Sequence, residues 1–129
     1  MVLLDREACL RLLQRTTFGR IAVTVGALPA VLPVNYRLVG EEIIFRTGNG
    51  TKLDAATNHA IVAFEIDEVD PISHAGWSVM VTGEARRITD PQLLAQIEDA
   101  GVPHWAHTDG AVVVAISTEV VTGRRIGLR

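Results

Sequence analysis

The strongest constraint on this chain is a succession of short segments in which apolar and polar residues alternate, joined by connections of only a few residues. Ile21, Val23 and Val25 alternate with Ala22 and Thr24, the period-two pattern of a half-buried strand. Gly26, Ala27, Leu28 and Pro29 turn the chain into a second strand over residues 31–38, and Val39, Gly40, Glu41 and Glu42 turn it into a third over residues 43–47. Connections this short cannot hold a crossover, so the three strands run as an antiparallel meander. A fourth strand carries Val62, Phe64 and Ile66. The longest alternating segment spans residues 77–87, with Trp77, Val79, Val81 and Ala85 on one face and Ser78, Met80, Thr82 and Glu84 on the other. Gly83 interrupts it and marks a bulge or bend. A sixth strand is expected over residues 111–121, followed by a basic end segment at 123–126.

Three short helices punctuate these strands. Asp5 can cap a helix reaching Arg15, in which Cys9, Leu10, Leu12 and Leu13 recur at helical spacing. Thr51 or Asn49 can cap a second over residues 52–59, and Asp90 with Pro91 opens a third that Gly101 stops. Six strands joined mostly by hairpins, with short helices as covers, fit a small antiparallel β-barrel better than a parallel βαβ sheet.

At 129 residues the chain is sized for a single domain over residues 1–129. The longest unbroken apolar run, residues 111–116, is too short to span a bilayer, so no membrane association is expected. Asp5, Arg6 and Glu7 follow the first four residues at once and leave no secretory signal, while Cys9 stands alone; both point to the cytoplasm. The net charge of −3 and the scatter of the basic residues argue against nucleic acid as a partner. A hydrophobic share of 48% is high for a small domain, and a homodimer would hide the surplus.

Two segments carry the residue types that chemistry needs. In the first, Phe45, Arg46, Thr47, Gly48, Asn49, Gly50, Thr51 and Lys52 form a strand end, a glycine-rich loop and a helix start. Free backbone N–H groups and two basic side chains favour an anion such as phosphate there; an ordinary capped turn would have the same pattern. Lys52 is the one lysine among twelve basic residues, so its point charge stands out. In the second, Leu32, Pro33, Val34, Asn35 and Tyr36 place an amide and a phenol beside a proline that cannot donate to a sheet ladder. Such a strand can offer backbone polar groups to a flat heterocycle, or can simply be an edge. His104, Trp105, His107 and Asp109 lack the second cluster that a metal site requires, and no metal is expected.

The order of these motifs resembles the pyridoxamine 5′-phosphate oxidase-like flavin-binding split barrels. The likeness runs through FGRIAVTVGALPAVLPVNYRLVGEEIIFRTGNGTKLDAA, a strand with Phe64 and Glu65, and GWSVMVTGEA, and so spans nearly the whole chain. It implies a six-stranded antiparallel split β-barrel that forms a homodimer with FMN in clefts at the subunit interface. It also implies that Pro33, Val34, Asn35 and Tyr36 lie along the isoalloxazine ring, with Tyr36 or Trp77 stacking on it. Arg46, Thr47, Thr51 and Lys52 would hold the ribityl phosphate, and Trp77 and Ser78 would approach from the same cleft or from the partner, with Trp105 and Arg124 on the far wall. Related short barrels bind a deazaflavin coenzyme or haem instead, and for haem His59 or His74 would have to serve as a ligand. The activity expected from the resemblance is two-electron transfer between a reductant and a small-molecule acceptor; a non-catalytic cofactor carrier is the alternative. A flavin supplies its own electron chemistry, so no catalytic residue is assigned.

Overall fold

The computed structural model describes residues 1–103 and 111–127. Among these residues nine strands, all paired antiparallel, form one curled sheet in the order β3-β2-β6-β7-β8-β5-β4, with β9 on β7 and β1 on β9. The elements in chain order are β1 (Val2–Leu4), α1 (Arg6–Arg15), β2 (Phe18–Val25), β3 (Leu28–Asn35), β4 (Arg37–Val39) and β5 (Glu42–Thr47). There follow α2 (Lys52–Ala56), β6 (Ile61–Val69), β7 (Gly76–Ile88), α3 (Pro91–Asp99), β8 (Val112–Ser117) and β9 (Val120–Ile126). This is the antiparallel split barrel expected from the sequence, with nine strands in place of six.

Two of the extra strands arise where an expected strand breaks. The strand expected over residues 31–38 breaks at Tyr36, where the chain leaves its partner β2 and continues as β4 against β5. The strand expected over residues 111–121 breaks at Thr118, a buried residue whose hydroxyl donates to the Glu41 carbonyl at 2.6 Å. The basic end segment then proves to be the second half of strand β9, which pairs with β7 from Gly76 to Thr82 and with β1 from Val2 to Leu4.

Inside the curl, Ile21, Val23, Ile43, Phe45, Phe64, Ile66, Val79 and Val81 pack beneath α1 and α2. Asp5 caps α1 by accepting from Ala8 N at 2.8 Å, and Cys9 and Leu13 are the buried side of that helix. Close approach of α1 to β9 depends on Gly123, where a Cβ would lie 2.6 Å from Cys9 Sγ. A second, smaller core lies on the other face of β5, β7 and β8, where Ile44, Ile88, Val113 and Ala115 are covered by Ile97 of α3. Gly83 marks the place where β7 passes from pairing with β9 to pairing with β8. Among the described residues no helix is long and apolar enough to cross a membrane.

Candidate functional site

The glycine-rich loop after β5 is organised chiefly by its own side chains. Thr51 caps α2: its hydroxyl accepts from Asp54 N at 3.1 Å, donates to the Gly48 carbonyl at 2.8 Å and sits 3.1 Å from the Thr47 hydroxyl. Asp54, only 5% exposed, accepts from Gly50 N at 2.8 Å and takes both of its oxygens to Arg87 Nη2 at 2.8 and 2.9 Å. Desolvation pushes this carboxyl up, but the Gly50 amide and the Arg87 guanidinium outweigh it and hold Asp54 below the ordinary carboxylate range. Arg87 and Asp54 are thus part of the loop's architecture, and their role is tertiary: β7 brings Arg87 to the loop from 33 residues away.

Of the residues expected to hold a phosphate, three cluster and one does not. Thr47 and Thr51 touch, and Lys52 follows on the first turn of α2, exposed, beside a groove of about 180 Å³ lined by Thr24, Val25, Gly26, Ala55 and Ala56. Lys52 has no ion-pair partner among the described residues. Arg46 points to the opposite face of β5 from Thr47, as alternation requires, and lies under α3 with Nη2 3.0 Å from Glu98. Its Nε is buried without a hydrogen-bond partner among the described residues. The Thr51 hydroxyl is fully occupied by capping, so Lys52 is the free charge that an anion would meet.

The second segment divides in the same way. β3 pairs only with β2 and is an edge of the described sheet. The turn at Gly26 and Ala27 makes Val25 and Leu28 the first hydrogen-bonded pair, and Tyr36 N donates to Thr17 O at 3.0 Å with the same parity. Pro29 and Pro33 therefore occupy positions whose missing N–H would point away from β2. No ladder bond is lost to them, and no further strand can complete the edge there. Pro33 and Asn35 are exposed on the outer face, with main-chain groups of Val31 and Asn35 left over for a ligand, whereas Val34 faces the core. Tyr36 is corrected outright: its side chain is 0% exposed, packs edge-on against Phe64 and donates to the Leu13 carbonyl at 2.7 Å, so no ring can stack on it.

Trp77 and Ser78 are neighbours in sequence on opposite faces of β7. The indole faces α1, whereas Ser78 lies on the outer face between its register partners Asp67 and Arg124. One chain therefore cannot present both to one ligand. Trp77 is also remote from Lys52. Ala85 adjoins the end of α2 through its bonds with His59 and Ala60, and Trp77 lies eight residues up the same strand, roughly 25 Å at strand rise.

Across the outer face runs a mostly apolar row of exposed and partly exposed residues. Val31, Ala22, Ala63, Thr82 and Val120 are successive register partners over five strands, with Phe18, Ile61 and Met80 flanking that row. Arg20 lies beside them, 3.8 Å from Glu65 and 3.5 Å from Asp67. Desolvation, then the neighbouring Asp67, raises Glu65 to about 7. No group of three or more His, Cys, Asp or Glu among the described residues could hold a metal. His59 and His74 are exposed. Trp105, His104, His107 and Asp109 fall outside the described residues.

Comparison with known proteins places this geometry. The family model described as pyridoxamine 5′-phosphate oxidase matches residues 5–125. The uncharacterised protein Rv0080 of Mycobacterium tuberculosis is 40% identical over 131 residues, covering 98% of this chain and 86% of that one. The solved structure of the FAD binding protein from Mycobacterium smegmatis is 34% identical, with a TM-score of 0.84 over 97% of this chain and 99% of that one. At 14% identity, the FAD and haem binding protein from the same organism shares the fold alone, with a TM-score of 0.75 over 93% of this chain and 70% of that one.

Proposed function

This chain belongs to the pyridoxamine 5′-phosphate oxidase-like family of flavin-binding split barrels, and from that premise we propose that it is an FMN-dependent oxidoreductase acting as a homodimer. The observation that carries the flavin placement is the position of Lys52. Its groove opens at Thr24 to Gly26, and four residues along β2 from Thr24 stands Arg20, the register partner of Pro33. A phosphate at Lys52 and a ring along the free edge at Pro33 and Asn35 would be separated by roughly 13 Å along β2, the scale of a whole FMN molecule from its phosphate to the far side of its ring.

Lys52 would hold the phosphate by a charge-assisted contact, and the unused main-chain groups of Val31 and Asn35 would orient the ring edge. The bound flavin would supply two-electron chemistry towards a small acceptor, and the protein's part is to fix the ring and leave one face open. A second copy supports this arrangement. The apolar row from Val31 to Val120 is the kind of surface that a homodimer covers, and Ser78 of that copy would then approach the ring.

The relative that is 34% identical is described as FAD-binding, so FAD is the competing form of the cofactor. The absorbance spectrum of the purified protein tests flavin binding, and chromatography of the heat-released cofactor separates FMN from FAD and deazaflavin. Bleaching by NAD(P)H and reoxidation by a quinone or nitro compound would support turnover. A Soret band, or colourless protein that takes up no flavin in a titration, would overturn the proposal.

A further inference from the structure

A cleft of about 600 Å³ lies at the far end of the sheet from Lys52, between α1 and the β7–β9 pair. One wall is a stripe of α1, in which Ala8, Arg11, Leu12 and Arg15 recur at helical spacing with Gln14 beside them. The other wall is the Trp77 indole with Arg125, its register partner on β9. Cross-strand partners share a face, so the Arg125 guanidinium flanks the indole. Trp77 is half-buried, with part of its ring packed on the main core.

The charge of this cleft is one-sided. Among the described residues, Arg11, Arg15 and Arg125 are exposed without an ion-pair partner, and no carboxylate lines the cavity. Glu68, the register partner of Trp77 on its other side, stands outside the lining. The dipole of α1 accounts for a cation at Arg15 in its last turn. It does not account for Arg11 in mid-helix or for Arg125 on a strand.

We propose that this cleft binds a flat aromatic anion, a ring bearing phosphate or carboxylate, at a site separate from the one that holds the flavin. The indole and Leu12 supply the apolar surface that a planar ring covers. Guanidinium groups on both walls match phosphate or carboxylate in bidentate geometry. The volume falls within the range of about 300–1,000 Å³ usual for small-molecule sites.

The test reads Trp77 fluorescence in the full chain carrying Trp105→Phe, which leaves one indole. Phenyl phosphate and phthalate are titrated alongside benzyl alcohol and inorganic phosphate. Saturable quenching by an aromatic anion, with neither control reaching it at equal concentration, is expected; whichever anion binds tighter names the charged group. Arg11→Ala with Arg125→Ala should raise the dissociation constant roughly tenfold or more, since each removes a charge-assisted contact from an exposed position that packs no core. Circular dichroism confirms that the variant is folded. Quenching by benzyl alcohol equal to that by the anions, or quenching indifferent to the two arginines, would overturn the proposal. Flavin affinity separates the two sites: Lys52→Ala should weaken FMN and leave phenyl phosphate unchanged. If the arginine variant loses FMN, and phenyl phosphate competes with it, the cleft is the flavin site and a separate ligand is refuted.

Discussion

The phenol of Tyr36 donates to the Leu13 carbonyl at 2.7 Å, tying the last turn of α1 to the corner where the chain leaves β3 for β4. That carbonyl is one of the four that a helix C-terminus leaves without an intrahelical partner, and the Thr16 hydroxyl joins the same contact. Burial pushes the phenol's pKa up, so it stays a neutral donor. Tyr36→Phe should therefore cost about 1–2 kcal/mol, a melting point lower by several degrees, because a buried carbonyl is left unpaired. Flavin affinity of the folded variant should not change. A thermal melt together with a flavin titration checks both, and a loss of flavin without a loss of stability would return Tyr36 to the ligand.

Asp54 and Arg87 form the tertiary brace of the loop before Lys52. Arg87→Ala leaves a carboxylate inside with only the Gly50 amide for company, at an expected cost of about 2–3 kcal/mol, below the full value for a buried pair because Arg87 is partly exposed. The acid dependence follows from the lowered pKa of Asp54. Its stabilisation is present above the ordinary value of 3.8 and is lost as pH falls through the lower folded-state value. Denaturant melts from pH 5 downwards should show wild type losing more stability than Asp54→Asn, in which the titrating group is gone.

Glu65 has the opposite sign. Its pKa rises from 4.5 to about 7 on folding, so its contribution is most favourable below pH 4.5 and declines until about pH 7. The groups facing it on the outer surface are Arg20 on β2 and Asp67 on its own strand, and its register partner on β7, Met80, does not titrate. Glu65→Gln should be neutral at pH 4 and stabilising at pH 8. The gain should be on the order of 1 kcal/mol, since a carboxylate about one-third exposed is partly screened. Equal melting shifts at both pH values would show that the charge of Glu65 is not what burial opposes.

Much of this was legible in the residues themselves. Alternation located β2, β6 and β7, the flanking turns located β5, and Asp5, Thr51 and Asp90 cap the three helices as their side chains suggested. β1 escaped because Val2 to Leu4 is too short to show a period, and β9 because Gly123, Arg124 and Arg125 resemble a polar tail until β7 and β1 are in place beside them. The corner at Tyr36 is tertiary, set by a bond to a helix 23 residues away. The separation of Arg46 from Thr47, and of Trp77 from Ser78, was available from the period of two: adjacent strand residues face opposite ways, so neither pair could serve one ligand. The arginines at 11 and 15 also carried a signal, one turn apart beside Leu12, but Arg125 joins them only through the β7–β9 register.

Lys52 offers the sharpest test of the flavin site, because its charge is unpaired among the described residues and its side chain is exposed, so truncation should leave the fold intact. Lys52→Ala removes a contact available to a phosphate and not to a bare ring with its ribityl chain. FMN should bind about ten- to a hundredfold more weakly, the loss of one charge-assisted bond of roughly 1.5–3 kcal/mol, while riboflavin should bind as before. Lys52→Arg should recover part of the difference, since charge is kept and geometry changes. Equal losses for FMN and riboflavin would place Lys52 against the ring or the ribityl chain, and no loss for either would move the phosphate away from α2 altogether.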